Sequence, residues 1–179
     1  GVSLTYLPFM LSTVANALKE NPLLNSTWAG DAIVLKHHIN IGVAIATQKG
    51  LVVPVIHNAD TMDIASLAKV IDDLTTRARR GKLAVNDMQG GTFTVNNTGS
   101  LGSVIGKAII NYPQAAILNT ESIVKKPTVI NDAIEIRSMM NLCLTFDHRV
   151  MDGAEAGTFI NGVKERLEKM GEGVEHVYQ

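Results

Sequence analysis

A chain of 179 residues is the size of a single domain and long enough to bury a sizeable core. Its 16 Lys and Arg against 17 Asp and Glu leave a net charge of -1, which excludes the global basic field that would hold nucleic acid or an anionic membrane. The only cysteine, Cys143, excludes an internal disulfide and a multi-cysteine metal site, and suits a reducing compartment, cytosol or organelle matrix.

Residues 1–18 carry no charge, but Ser3, Thr5, Ser12, Thr13 and Asn16 and the lack of a basic flank favour a buried helix over a membrane or signal segment. Leu4, Leu7, Leu11, Val14 and Leu18 mark the buried face of that helix, Pro8 is tolerated near its start, and Asn21-Pro22 ends it. The chain begins at Gly1, and no targeting signal can be read from it.

The period then changes. Residues 33–35, 39–46 and 51–56 read as strands, with Lys49-Gly50 as a turn and Pro54 marking an edge strand or a bulge. His37 and His38 fall on strand-like sequence and would point oppositely. Asp63 is placed to cap a second helix with Ile64, Leu67, Ala68, Ile71 and Leu74 as its buried stripe and Gly81 as its stop. Arg77, Arg79, Arg80 and Lys82 read as a solvated helix end before they read as a phosphate site. Residues 92–98 form a strand leading into a glycine-rich run to Gly106, with further strands at 115–118, 128–130 and 140–146 and a last helix at about 152–170. Strands interleaved with helices imply an α/β or α+β domain, one mixed sheet with helices packed on it.

The densest chemistry lies in Asp147-His148-Arg149-Val150-Met151-Asp152-Gly153, between an apolar strand and an amphipathic helix. A histidine can accept a proton from a thiol or hydroxyl, and a carboxylate four residues on can organise the site or simply cap the helix. In Phe93-Thr94-Val95-Asn96-Asn97-Thr98-Gly99-Ser100, strand alternation puts Asn96 and Thr98 on one face, where either could donate to a developing oxyanion. Gly99, Ser100 and Gly102 are candidates for holding a substrate, because glycine admits a ligand close to the backbone.

Other chemistries fit poorly. Lys107 is followed by Ala108 without phosphate-loop glycine spacing. Cys143 and His148 are five residues apart, about 16 Å along a strand, too far for a thiol-enzyme pair. His37 and His38 would point oppositely, and His57 and His176 lack the carboxylate or cysteine spacing of a metal site.

Together these two segments, with Leu4-Thr5-Tyr6-Leu7-Pro8-Phe9, Gly50-Leu51-Val52-Val53-Pro54-Val55-Ile56 and Asn111-Tyr112-Pro113-Gln114-Ala115-Ala116-Ile117-Leu118, resemble the catalytic domain of the dihydrolipoamide acyltransferases of 2-oxo acid dehydrogenase complexes. The Asn96-Asn97-Thr98-Gly99 variant looks most like the bacterial branched-chain type. The resemblance implies a chloramphenicol-acetyltransferase-like two-layer sandwich. It implies acyl transfer between dihydrolipoamide and coenzyme A, with no metal and with the lipoyl group carried on a separate domain. His148 matches the family's catalytic histidine and Asp152 its organising aspartate. Many members have serine where Asn96 stands, so the oxyanion donor is left between Asn96 and Thr98.

By the same resemblance, residues 1–179 are an acyltransferase catalytic domain lacking its N-terminal part, without lipoyl or subunit-binding domains. Its partners would be two further copies in a homotrimer that builds a cubic or dodecahedral core, a lipoyl domain, and decarboxylase and dihydrolipoamide dehydrogenase components. Its place would be the bacterial cytoplasm, or the mitochondrial matrix in a eukaryote. A chloramphenicol-type acetyltransferase and a non-catalytic scaffold core are the alternatives.

Overall fold

The computed structural model describes residues 5–171. Leu4 and His176 therefore lie outside the described residues. Helix α1 (Tyr6–Glu20) buries Leu11, Val14 and Leu18 as their spacing requires. It ends where the Asn21 N–H reaches the Ala17 and Leu18 carbonyls and Pro22 opens a short 3-10 turn. In α2 (Ile64–Arg79) the Asp63 carboxylate accepts the Ser66 N–H at 2.7 Å. At its other end Gly81, with φ +65°, lets the Lys82 N–H bond back to the Arg77 carbonyl at 2.8 Å, closing the helix with a left-handed residue. Leu67, Ala68, Leu74 and Ala78 are buried, while Ile64 and Ile71 are only half-buried. Helix α3 spans Gly153–Gly171.

The strands are β1 (Ser26–Trp28), β2 (Ile33–Leu35), β3 (Ile41–Thr47), β4 (Gly50–Val52), β5 (Val55–Ile56), β6 (Phe93–Asn97), β7 (Ala116–Thr120), β8 (Val124–Ile130), β9 (Ala133–Met139) and β10 (Leu142–Phe146). The six-stranded sheet runs β10-β7-β6-β3-β4, with β5 also paired to β3. Central β6 is parallel to both neighbours and the other pairings are antiparallel, so the sheet is mixed as expected. Pro54 splits the expected 51–56 strand into β4 and β5, yet its carbonyl still accepts the Val43 N–H at 2.8 Å, so the break acts as a bulge.

Strand alternation divides the sheet into two faces. Ile41, Val43, Phe93, Val95, Ala116 and Leu118 join Leu11 and Phe159 in the helix-side core, and the Phe93 and Phe159 rings meet at 5.6 Å between centroids. The opposite face carries Thr94, Asn96, Ile117, Asn119 and Cys143, in register across β6, β7 and β10. The chain between β6 and β7 folds over it: Thr94 donates to the Gln114 amide oxygen at 2.6 Å, both residues being buried.

Three sequence readings need correction. β1 goes unpredicted because three residues carry too little periodicity. Strand 128–130 is the end of the longer β8, which forms a hairpin with the unpredicted β9. Asn131 and Asp132 make its two-residue turn with φ of 49° and 62°, and that dipeptide was the available signal. His37 and His38 sit in a bend after β2, not on a strand, because Asn25, itself buried, ties down the Lys36 and His38 carbonyls at 2.9 and 3.0 Å.

Candidate active site

The strand β10 ends at Phe146, and the Asp147 N–H bonds to the Ala115 carbonyl at 2.8 Å, so sheet pairing reaches the first residue of the turn. The Asp147 carbonyl then accepts from Val150 and Met151, whose side chains are buried in the core. With both flanks pinned, His148 and Arg149 are left exposed at the tip. The His148 ring rests beside Phe146, at 4.6 Å between centroids, and among the described residues its nitrogens have no hydrogen-bond partner. Arg149 is held by Asp147 at 2.6 Å and lies 5.7 Å above the Trp28 ring. The Arg149 guanidinium keeps the Asp147 carboxyl below its ordinary pKa, with burial opposing and the Arg149 N–H reinforcing.

Asp152 begins α3. Its carboxylate accepts the Ala154 N–H at 2.7 Å, and the Glu155 carboxylate reaches back to the Asp152 N–H at 3.1 Å, which is a capping box. Hydrogen bonding to Glu155 and then to Ala154 lowers its pKa, and the neighbouring His148 adds a smaller charge effect. Asp152 thus caps the helix and sets the exit of the turn; among the described residues it makes no hydrogen bond to His148.

Asn96 lies at the other end of the sheet. It is level with Asn119 and Cys143, whereas His148 follows the far end of β10. The strand from Cys143 to Phe146 at about 3.4 Å per residue, and two interstrand gaps of about 4.8 Å, put Asn96 roughly 14 Å from the end of β10. Within one chain the end of β10 and the strand residues of the candidate site are thus well separated.

Thr98 and Asn96 differ sharply in availability. The Thr98 hydroxyl has one proton, and it donates at 2.8 Å to Glu121, a carboxylate only 2 % exposed. Burial pushes the Glu121 pKa up, but hydrogen bonds from Ser103, Thr98, Asn119 and Cys143 outweigh it and hold the carboxyl below the ordinary glutamate range. An ionised acceptor therefore occupies the Thr98 proton. The Asn96 amide is half-buried and makes no side-chain hydrogen bond to any described residue.

The glycine-rich run is explained by packing. A Cβ on Gly99 would lie 2.3 Å from the Glu121 carbonyl carbon, so a side chain at this position would meet the protein's own backbone. Gly102 has φ +88°, which closes a 3-10 turn. Ser100 bonds back to Asn97 through its N–H and its hydroxyl. A cavity of about 310 Å³, lined by Tyr6, Met10, Asn97, Gly99, Glu121 and Met140 among others, adjoins this run on the helix side. Glu121 and Asn119 were missed by motif reading; their signal was two polar residues at the end of the apolar run 115–118.

A family model described as 2-oxoacid dehydrogenases acyltransferase (catalytic domain) matches residues 1–173. The chain belongs to this acyltransferase family. It is 56% identical over 173 residues to the lipoamide acyltransferase component of the branched-chain alpha-keto acid dehydrogenase complex of Bacillus subtilis, covering 96% of this chain and 41% of that protein. The chain thus spans about two fifths of the length of such curated acyltransferases. A probable dihydrolipoamide acetyltransferase from Listeria monocytogenes superposes with a TM-score of 0.95 at 54% identity, over 99% of this chain and 76% of that one.

The dihydrolipoamide acetyltransferase of Azotobacter vinelandii, solved to define the roles of a serine, a histidine and an asparagine in its mechanism, superposes with a TM-score of 0.92 at 37% identity, over 95% of this chain and 71% of that one. Those three residues have the same spacing as Asn96, His148 and Asp152. A chloramphenicol acetyltransferase, at 16% identity and a TM-score of 0.58 over 91% of this chain and 78% of that one, shares the fold.

Proposed function

We propose that this acyltransferase domain moves an acyl group between dihydrolipoamide and coenzyme A, with His148 as general base and Asn96 as oxyanion donor. One observation carries the reading: His148 is held exposed, its ring nitrogens uncommitted among the described residues, at the spacing from Asn96 and Asp152 that the Azotobacter catalytic residues show. His148 takes the proton of the attacking coenzyme A thiol, and the sulfur adds to the acyl-dihydrolipoamide carbonyl. The oxyanion accepts from the Asn96 amide, and His148 returns the proton to the departing lipoyl sulfur. No acyl-enzyme is required.

The separation of His148 from Asn96 supports a site completed between chains, His148 from one and Asn96 from its neighbour. A homotrimer provides that junction, since every contact in a cyclic trimer joins unlike edges. The β8–β9 ribbon exposes Val129, Ile134 and Ile136, an apolar surface suited to such a contact. A larger core is supported by the likeness to the cubic core of a pyruvate dehydrogenase complex, at 38% identity and a TM-score of 0.92 over 95% of this chain and 71% of that one. The lipoyl domain, decarboxylase and dihydrolipoamide dehydrogenase are the partners that this role requires. Gly99 and Ser100 line the cavity beside this loop and are placed to hold the substrate, while Gly102 closes the turn that shapes it.

The test supplies several acyl-CoAs with dihydrolipoamide, and separately with chloramphenicol. Thioester formation on dihydrolipoamide is expected. Acetylation of chloramphenicol alone would make the protein an antibiotic-type acetyltransferase, and no transfer to either would make it a scaffold.

A further inference from the structure

We propose that Asn119 and Glu121 are positioning residues that orient the Asn96 amide through a buried hydrogen-bond relay. The inference rests on Asn96 as the oxyanion donor. Asn96 and Asn119 are register partners in the parallel β6–β7 pair, so both side chains leave the same face of the sheet, about 4.8 Å apart at the backbone.

An amide has one end that donates and one that accepts, and its partners decide which way it faces. Glu121, as a carboxylate, only accepts. Asn119 Nδ2 donates to Glu121 Oε1 at 3.4 Å, which turns Asn119 Oδ1 away from Glu121. That oxygen is buried and lacks a hydrogen-bond partner. A buried acceptor without a donor is costly and calls for an explanation. Cys143, the other register neighbour of Asn119, offers only a weak thiol donor. The Asn96 amide is the adjacent donor able to serve Oδ1. With one of its N–H groups on Asn119, the other is directed off the sheet, where the oxyanion would form.

Glu121 is fixed firmly enough to set this direction. Thr98 donates to it at 2.8 Å, and among the described residues no Lys or Arg pairs with it. The loop closes over the relay at Gly106, where a Cβ would come within 3.1 Å of Glu121 Oε1 and 3.3 Å of Asn119 Nδ2. Once Asn96 turns onto the unpartnered Asn119 Oδ1, the order of donation is Asn96 to Asn119 to Glu121, ending on a group that cannot donate back.

A double-variant cycle on the intact protein tests it. Asn96→Ala should lower kcat by about 100- to 1,000-fold, the effect of removing one oxyanion donor, and Asn119→Ala or Glu121→Gln by roughly tenfold or more, each with the KM for coenzyme A little changed. In the Asn96→Ala background neither should cost anything further, because nothing remains to orient. Should Asn119→Ala fail to fold, Glu121→Gln carries the same cycle, since it preserves side-chain volume. Penalties that multiply in the double variant, or loss confined to KM, would overturn the relay. So would a structure with acyl-CoA bound in which Asn96 Nδ2 stays beyond about 3.5 Å of Asn119 Oδ1. A parental kcat for Asn96→Ala would instead overturn the donor reading, and the bound structure still decides the relay on distance alone.

Discussion

Exposure and freedom from partners distinguish His148 from the other polar groups of its turn, all of which are committed to structure. His148→Ala should leave the melting temperature near that of the parent and lower turnover by roughly 100- to 10,000-fold, the range of general-base catalysis. Near-parental turnover in the folded variant would remove the assignment. Thr98→Val and Asn96→Ala should separate in a second comparison. The Thr98 proton is already held by Glu121, so its loss is expected to lower thermal stability more than turnover, whereas Asn96→Ala should do the reverse. Equal kcat losses in the two variants would mean that Thr98 also touches the reacting carbonyl.

Glu121 also predicts a pH dependence. Its folded pKa is lowered, because donated hydrogen bonds outweigh burial, so the stabilisation is complete above the ordinary glutamate value and is lost as pH falls through the lower folded value. The melting-temperature advantage of the parent over Glu121→Gln should therefore be constant near neutrality and shrink in acid. An advantage that grew on acidification would contradict an ionised Glu121.

At the scale of elements, two junctions carry the site. The first is the start of α3, where Asp152 and Glu155 form the capping box. Asparagine caps a helix about as well as aspartate, so Asp152→Asn should keep both melting temperature and turnover, and Asp152→Ala should lower both. If Asp152→Asn lost activity at unchanged stability, the charge beside His148 would matter in its own right. The second is the loop after β6. Gly99→Ala drives a methyl into the Glu121 backbone, and overpacking of this kind costs about 1–3 kcal/mol. Calorimetry should show a lower melting temperature together with reduced kcat, because a loop that displaces Glu121 also withdraws the acceptor of Asn119, which orients Asn96. An unchanged melting temperature would mean that the loop moves aside without strain.

For the whole molecule, the decisive prediction concerns the proposed sharing of sites between subunits. Co-refolding His148→Ala with Asn96→Ala chains in equal amounts should make about three quarters of random trimers mixed, each with one junction that has both edges intact, so roughly a quarter of all sites should recover. Activity no higher than the mean of the two parents, with mixing verified by mass spectrometry, would confine both residues to one chain.

Sequence alone was enough for the three helices, the central strands and the family, because apolar spacing, caps and the run from Asp147 to Gly153 are local signals. Asp63 and Gly81 announced the ends of α2 by their own conformational preferences. The distance between His148 and Asn96 was not legible, since it depends on which strands pair and in which register. Nor was the choice between Asn96 and Thr98, which alternation places on one face as equals. Only the tertiary fold brings Glu121, 23 residues away, against the Thr98 hydroxyl and leaves the Asn96 amide free of any described partner. Hydrogen bonds between distant side chains leave no periodicity in a chain, so their allocation is decided by packing.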